Sequence, residues 1–479
     1  MPDAAELVAH ARETRVVVIG AAGAVAALEC AKVGMAVTVL DDAGAGVPVA
    51  DTVDLGGVTV DVDADGFGAD VPAFTELVSD LGLADRVEVL RPARTGIADL
   101  SAAAPAPVAP LPEGALLGIP PNPWDPAVRR VIGWAGTWRA YLDRVRPPLT
   151  IGRERNLAAL VRSRMGDRVC DRLVAPVTRA RWGLDPSDVD VEVAARGLNS
   201  ALTRSGSLGG AVAEVAAQPQ AGALVFDDPG AWPSALATRL GDLGGEVRTG
   251  TRVRSISREG GEWRIEVGEP AADDLADDSA SSVVTADIVI VAADEARTRS
   301  LLAELVELPP AEATPPVDVV LLRVRAPSIS GAAPSEVVSS REGVRRVVDL
   351  TATHPSLAAA VGDGERVLHV TLPASDADDA ATVATAQAAA SVALGVPLAA
   401  SAVVASRRVR RGGAVPAVRL GAAEEAAALH AAVEATPALG LAAPWISGGG
   451  RADAVADAID EAVRLRRRVL WGDDAAGSF

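Results

Sequence analysis

Two cysteines in 479 residues, Cys30 and Cys170, are too few for a disulfide framework and fall at no metal-ligand spacing. That excludes a stapled scaffold and fits a reducing, cytoplasmic setting. Aromatic residues are scarce as well, at 3%, so Ala and Val must supply most of any core. No apolar run reaches the roughly 18 residues of a membrane span. The longest are interrupted by Glu29 and Lys32 or by Pro397. The opening Met1–Arg15 is charged and lacks an apolar h-region, so it does not have the pattern of a signal peptide. Basic residues are in deficit, 45 Lys and Arg against 64 Asp and Glu, and the formal charge of −19 argues against nucleic-acid binding. His10, His354, His369 and His430 are scattered without partner spacing, and no metal site or catalytic set is assigned to them. One core does not suffice at this length, so two or three domains are expected.

What is present is organised around Arg15–Asp42. Arg15–Ile19 is a short β-branched run ending in Gly20, the pattern of a strand buried on both faces. Small residues and an apolar stretch lead to Gly34, as a helix closing at a C-cap does. Met35–Leu40 is a second buried strand with Asp41 and Asp42 at its tip. This layout predicts a Rossmann βαβ unit, its helix N-terminus facing a pyrophosphate and its acid holding ribose hydroxyls. The glycine fingerprint departs from the standard: Gly20, Ala22 and Val25 occupy its three positions. A better alignment gives Gly23 the role of the last glycine and shortens the phosphate loop.

Downstream, Gly56-Gly57 predicts a turn and Val58–Val62 a strand. Asp61, Asp63 and Asp65 alternate, but the closing glutamate of a calcium loop is missing. Pro72–Leu83 predicts an amphipathic helix. Leu111–Pro120, Arg172–Val177 with Trp182–Pro186, Thr251–Ile256, Asp287–Ala293 and Gly448–Asp453 follow in order. Together these segments resemble those of the protoporphyrinogen/coproporphyrinogen oxidases of the flavin amine-oxidase superfamily, collinearly over nearly the whole chain.

The resemblance implies an α/β fold: a discontinuous Rossmann-like FAD-binding domain, a mixed-sheet substrate domain and a helical insertion. The FAD-binding parts are residues 1–90, 215–304 and 435–479, the substrate parts 91–114 and 305–434, and the helical part 115–214. Substrate-domain strands are expected near Val317–Val324, Arg345–Leu350 and Arg366–Leu372. Gly268–Ser282, acidic and small, is expected to be an exposed hairpin loop. The implied cofactor contacts are Gly20, Ala21, Ala22, Gly23, Asp41, Val253, Trp445, Gly448 and Gly450, with no catalytic residue assigned. The implied activity is FAD-dependent oxidation of a porphyrinogen, a tetrapyrrole of haem biosynthesis, with oxygen as acceptor.

Several flavin-facing positions depart from the resemblance. Ala43–Ala50 has neither Arg nor Gly-Gly, Pro444 removes a backbone N–H, Ala414–Val418 lacks a polar pair, and Asp63 replaces a glycine. A second reading is therefore a paralogue that has lost FAD and binds or regulates a partner, such as an active oxidase; a homodimer is another possibility. Pro126–Val145 predicts a helix with Val128, Val131, Ile132, Ala135, Trp138 and Leu142 on one side and Trp134 beside them. Arg129, Arg130, Arg139 and Arg144 could meet anionic headgroups there, a peripheral membrane contact. The competing reading is a helix packed on its own domain.

Overall fold

In the computed structural model of the chain, residues 4–42, 52–105, 107–145, 154–218, 222–268, 282–308, 315–326, 333–412 and 416–472 are described. The expectations for Ala43–Ala50, the Gly268–Ser282 loop and Ala414-Val415 fall wholly or mainly outside them. Strands β1 (Arg15–Ile19), β2 (Ala36–Asp41), β3 (Glu246–Thr249), β4 (Ile288–Val291) and β5 (Leu439–Leu441) form one parallel sheet in the order β3-β2-β1-β4-β5. Three distant stretches of chain thus build it. Every residue of β4 is buried, as its unbroken Ile-Val pattern demands of a central parallel strand.

Helix α1 (Ala24–Ala31) crosses between β1 and β2, and all eight of its residues are buried. It shows no polar face because the sheet covers one side and the closing helix (Arg451–Trp471) packs on the other. Glu29 survives in that interior because Lys32 Nζ lies 2.6 Å away and Arg466 Nη1 3.4 Å away. Phe67, Phe74, Phe226 and Trp232 nest at the edge of this core, Phe67 and Phe74 stacked at 4.6 Å. Three of the chain's four phenylalanines and one of its tryptophans are thus concentrated at a single joint; burying each contributes about 1.5–3 kcal/mol.

The second sheet is mixed and seven-stranded, ordered Val403–Arg411, Val317–Arg325, Glu365–Pro373, Arg346–Asp349, Glu336–Ser339, Thr95–Ala98, Ala109–Pro110. Its pairings are antiparallel except Glu336–Ser339 with Thr95–Ala98. The α/β class with a mixed substrate-type sheet and a helical insertion is the one the sequence predicts. On one face Val319, Leu321, Val348 and Val367 pack against the hairpin Thr52–Asp61. On the other, Asp379–Leu394 covers Val320, Leu322, Leu368 and Val370.

Helix α2 (Pro126–Tyr141) starts where Asp125 Oδ1 accepts the Ala127 N–H at 2.8 Å, with Pro126 in the first turn. Its apolar face corrects the sequence expectation. Gly133 adopts φ +70°, and Arg168 Nη1 donates to the Ile132 carbonyl at 3.1 Å. That break rotates the second half of the helix. Val128 and Ile132 are buried, but so are Gly136, Thr137 and Ala140, while Trp134, Ala135, Trp138 and Leu142 face outward. No helix among the described residues is long and apolar enough to cross a membrane.

Candidate functional site

The turn from β1 into α1 is shaped by two glycines with different duties. Gly20 takes φ +101°, and a Cβ there would stand 2.6 Å from the Ala292 carbonyl oxygen. Gly23 has no room for a side chain either: a Cβ would lie 2.4 Å from Val18 Cγ1 and 2.8 Å from Ala292 Cβ. Gly23 therefore does what the last glycine of a dinucleotide fingerprint does, seating the helix on the sheet. The start of α1 carries no side-chain cap; the turn before it takes the Gly23 N–H onto the Gly20 carbonyl and the Ala24 N–H onto the Ala21 carbonyl, and the N–H groups of Ala21 and Ala22 are the ones left to an anion.

Gly20, Ala21, Ala22, Asp41 and Val253 line one cavity of about 180 Å³. Asp41 is buried at the tip of β2, and its carbonyl receives the Thr251 N–H at 2.9 Å. The opposite wall carries Arg297, which the sequence pattern did not single out. Its Nη2 is buried with no hydrogen-bond partner, and burial pulls its pKa down. A buried guanidinium nitrogen without an acceptor, beside an uncapped helix start and an acid, is what an absent nucleotide would complete.

Ala22 also borders a second cavity, about 280 Å³, lined by Val25, Asp61, Asp63, Arg411, Pro444 and Arg451. The two form one trough past the start of α1, reaching from the parallel sheet to the seven-stranded one. Asp61 and Arg451 close its far end, Nη1 to Oδ2 at 2.7 Å, with the guanidinium 4.1 Å above the Phe67 ring. Burial raises the Asp61 pKa against the opposing pull of Arg451.

The remaining expected contacts lie elsewhere. Trp445 and Gly448 line a different cavity, of about 200 Å³, and the Trp445 indole donates to the Ala293 carbonyl at 3.1 Å. Gly450 donates its N–H to Asp453 Oδ2 at 2.8 Å, capping its own helix. The structure therefore brings five of the nine residues onto one wall, places Gly23 beneath them, and separates the other three.

Beyond the trough the seven-stranded sheet turns polar. Arg346, buried, makes a forked pair with Asp65 at 3.1 Å on both prongs, and Glu336 stands 3.6 Å away. Arg346 is the main cause holding the Asp65 carboxyl below its usual range. Arg181 reinforces that effect from the helical part. At the position preceding Arg346, the Arg345 guanidinium sits against Gly183, with Nη1 2.6 Å from where a Cβ would be. Among the described residues neither Arg181 nor Arg345 forms an ion pair.

His369, on the same sheet face, donates Nε2–H to the Val62 carbonyl at 3.0 Å. Burial, with Arg346 adding, pushes its pKa down to about 4. Between the ordinary value of about 6.5 and 4, the unfolded chain binds a proton that the folded chain refuses, so stability falls as pH falls. The loss should approach about 3 kcal/mol at the lower limit. Urea unfolding at pH 7 and pH 4.5 reads it, and His369→Met should flatten the difference. Equal pH dependence in both proteins would refute the assignment.

Comparison with known proteins places this geometry. The family described as "Flavin containing amine oxidoreductase" matches residues 49–328, more than half of the chain. The chain belongs to that family. It is accordingly an oxidoreductase, and FAD is its cofactor. The coproporphyrinogen III oxidase of Propionibacterium freudenreichii subsp. freudenreichii is 29% identical over 188 residues, 38% of this chain. That match spans about a third of the relative's length (34%). A protein of Exiguobacterium sp. 255-15, provisionally assigned as a protoporphyrinogen oxidase, superposes with a TM-score of 0.77 at 18% identity, covering 95% of this chain and 98% of that one. Reduced UDP-galactopyranose mutase superposes at 0.65 with 11% identity, covering 95% and 94%. At such identities the likeness is one of fold, and the mutase shows that this fold hosts more than one chemistry. The substrate of this flavin oxidoreductase must be argued from its own side chains.

Proposed function

We propose that this protein oxidises a porphyrinogen, removing hydrogens with FAD and passing them to oxygen. The observation that carries the reading is the pair Arg181 and Arg345, neither with an ion pair among the described residues, beside Arg346, whose charge is already met by Asp65 and Glu336. An amine substrate is a cation and would be repelled there; a tetrapyrrole bearing carboxylate side chains is matched by it. The partial likeness to a coproporphyrinogen III oxidase supports the same choice.

The trough fits the cofactor. Asp41 would hold the ribose hydroxyls, the Ala21 and Ala22 N–H groups just before α1 the pyrophosphate, Val253 the adenine edge, and Arg297 Nη2 an acceptor of the nucleotide. FAD, when bound, supplies the hydride-accepting chemistry. The protein's share is positioning: Arg181 and Arg345, which carry no ion pair among the described residues, would anchor the macrocycle's carboxylates.

The test is to load the protein with FAD and add coproporphyrinogen III without oxygen. The flavin absorbance should bleach, and porphyrin fluorescence should rise once oxygen is readmitted, because several two-electron steps separate a porphyrinogen from a porphyrin and each FAD takes one. Arg345→Ala should raise KM about tenfold with little change in kcat, as loss of a charge-assisted contact made equally in ground and transition states. No bleaching above the rate without protein, or an unchanged KM in Arg345→Ala, would refute the proposal.

A further inference from the structure

A cavity of about 240 Å³ lies behind the Arg451–Asp61 pair, bounded by the Gly57–Asp61 hairpin strand, Val225–Pro229 and the helical stretch from Leu350 to Ala360. It shares Asp61, Phe67 and Arg451 with the trough and none of the residues assigned to FAD. The pair stacked on Phe67 is thus a partition between two chambers.

The lining is apolar over most of its area and negative where it is polar. Val60, Phe226, Leu350 and Leu357 supply the body of the wall. Four carboxylates border it, from Asp61, Glu88, Asp227 and Asp228. Only two guanidiniums answer them: Arg451 on Asp61, and Arg86 shared between Asp227 at 2.8 Å and Asp228 at 3.7 Å. Glu88 has neutral partners alone, the Ser356 N–H at 3.0 Å and its hydroxyl at 2.6 Å. His354 adds no charge near neutrality, because burial pulls its pKa down. Low-dielectric walls strengthen the field of that surplus. Phe226 is the aromatic wall residue that could meet a cation, since Phe67 is already covered by Phe74 and by the Arg451 guanidinium.

We propose that this chamber is a binding site for a small organic cation, an ammonium group on an apolar body, distinct from the cofactor and substrate sites. The volume suits it: about eight waters at roughly 30 Å³ each, below the roughly 300–1,000 Å³ of pockets for drug-sized ligands. Glu88 is the anchor, since it is the one wall carboxylate without a cationic partner among the described residues. The partition places the bound cation next to Asp61, where it competes with Arg451 and so communicates with the trough.

Isothermal titration of the full chain with 2-phenylethylamine and with its neutral counterpart 2-phenylethanol tests the proposal. The amine should bind saturably and about tenfold more tightly than the alcohol, the value of one charge-assisted contact. Glu88→Gln should lower amine affinity about tenfold and leave the alcohol unchanged, while Ala360→Trp, at an exposed wall position, should weaken both. Equal affinity for amine and alcohol would overturn the proposal, as would amine binding indifferent to both variants. Anaerobic bleaching of bound FAD by the amine, unaltered in Ala360→Trp, would also overturn it by placing the amine in the cofactor trough. The titration is repeated without FAD, so a failure of the cofactor assignment leaves this result readable.

Discussion

Arg164→Ala should lower the free energy of unfolding by about 3–5 kcal/mol, measured by urea denaturation of the purified protein. Arg164 and Asp143 are a buried pair in the helical part, with side chains 8% and 2% exposed and Nε 2.5 Å from Oδ1. The carboxylate does more than meet the arginine. Its Oδ2 accepts the N–H groups of Leu208 at 2.6 Å and Gly209 at 3.3 Å, at the start of the helix Leu208–Ala216. Arg164 Nη2 in turn donates to the Gly206 carbonyl at 2.7 Å. Three segments distant in sequence meet on one ion pair. Truncating Arg164 leaves Asp143 charged in a site closed to water, and that uncompensated charge is the source of the cost. The double variant Arg164→Met with Asp143→Leu should be less destabilised than Arg164→Ala, since it removes both charges and fills the space. A loss below about 1 kcal/mol in Arg164→Ala, the range of a surface pair, would show that the charges are solvated.

Asp41→Asn should raise the dissociation constant for FAD by roughly 10- to 150-fold, the equivalent of about 1.5–3 kcal/mol for hydrogen bonds to a charged acceptor. The substitution keeps shape and one acceptor, and it removes a charge from a buried position. Flavin fluorescence quenching gives the constant, and thermal unfolding with and without FAD gives an independent measure, because a ligand of the native state raises the midpoint by mass action. The protein without FAD should unfold at a similar temperature in both forms. An unchanged dissociation constant would remove Asp41 from the cofactor site. Arg297→Met is the companion variant: it should weaken FAD binding, because the unpartnered Nη2 lies on the wall facing Asp41.

The βαβ unit was legible because its signals are local. Strand burial, a glycine turn and an acid at the strand tip are all written within Arg15–Asp42, and Gly23 could be given its seat because only a small residue fits between a helix and its strand. Strand positions in the substrate part were legible from β-branched runs for the same reason: Val317–Arg325, Arg346–Asp349 and Glu365–Pro373 lie close to their expected spans. Arg297 was not legible. Nothing in Glu295–Leu302 marks one arginine among its neighbours, and its position matters only because β4 lies beside β1. Trp445 and Gly448 were assigned by resemblance, but the chain after β5 turns them to the far side of Ala293. The rotated face of α2 was hidden because a 3.6-residue period cannot reveal that Gly133 leaves the helical conformation midway.

By itself the sequence determined the fold class, the βαβ unit with Gly20 and Gly23 in its turn and Asp41 at its strand tip, and the negative overall charge, since each follows from neighbours in the chain or from composition. Tertiary structure alone decided which arginines lack ion pairs, which carboxylates surround a chamber, and that Arg451 closes the trough on Asp61. Arg451 and Asp61 are 390 residues apart. Charge pairing over such separations depends on how sheets and helices dock, and no local pattern encodes it.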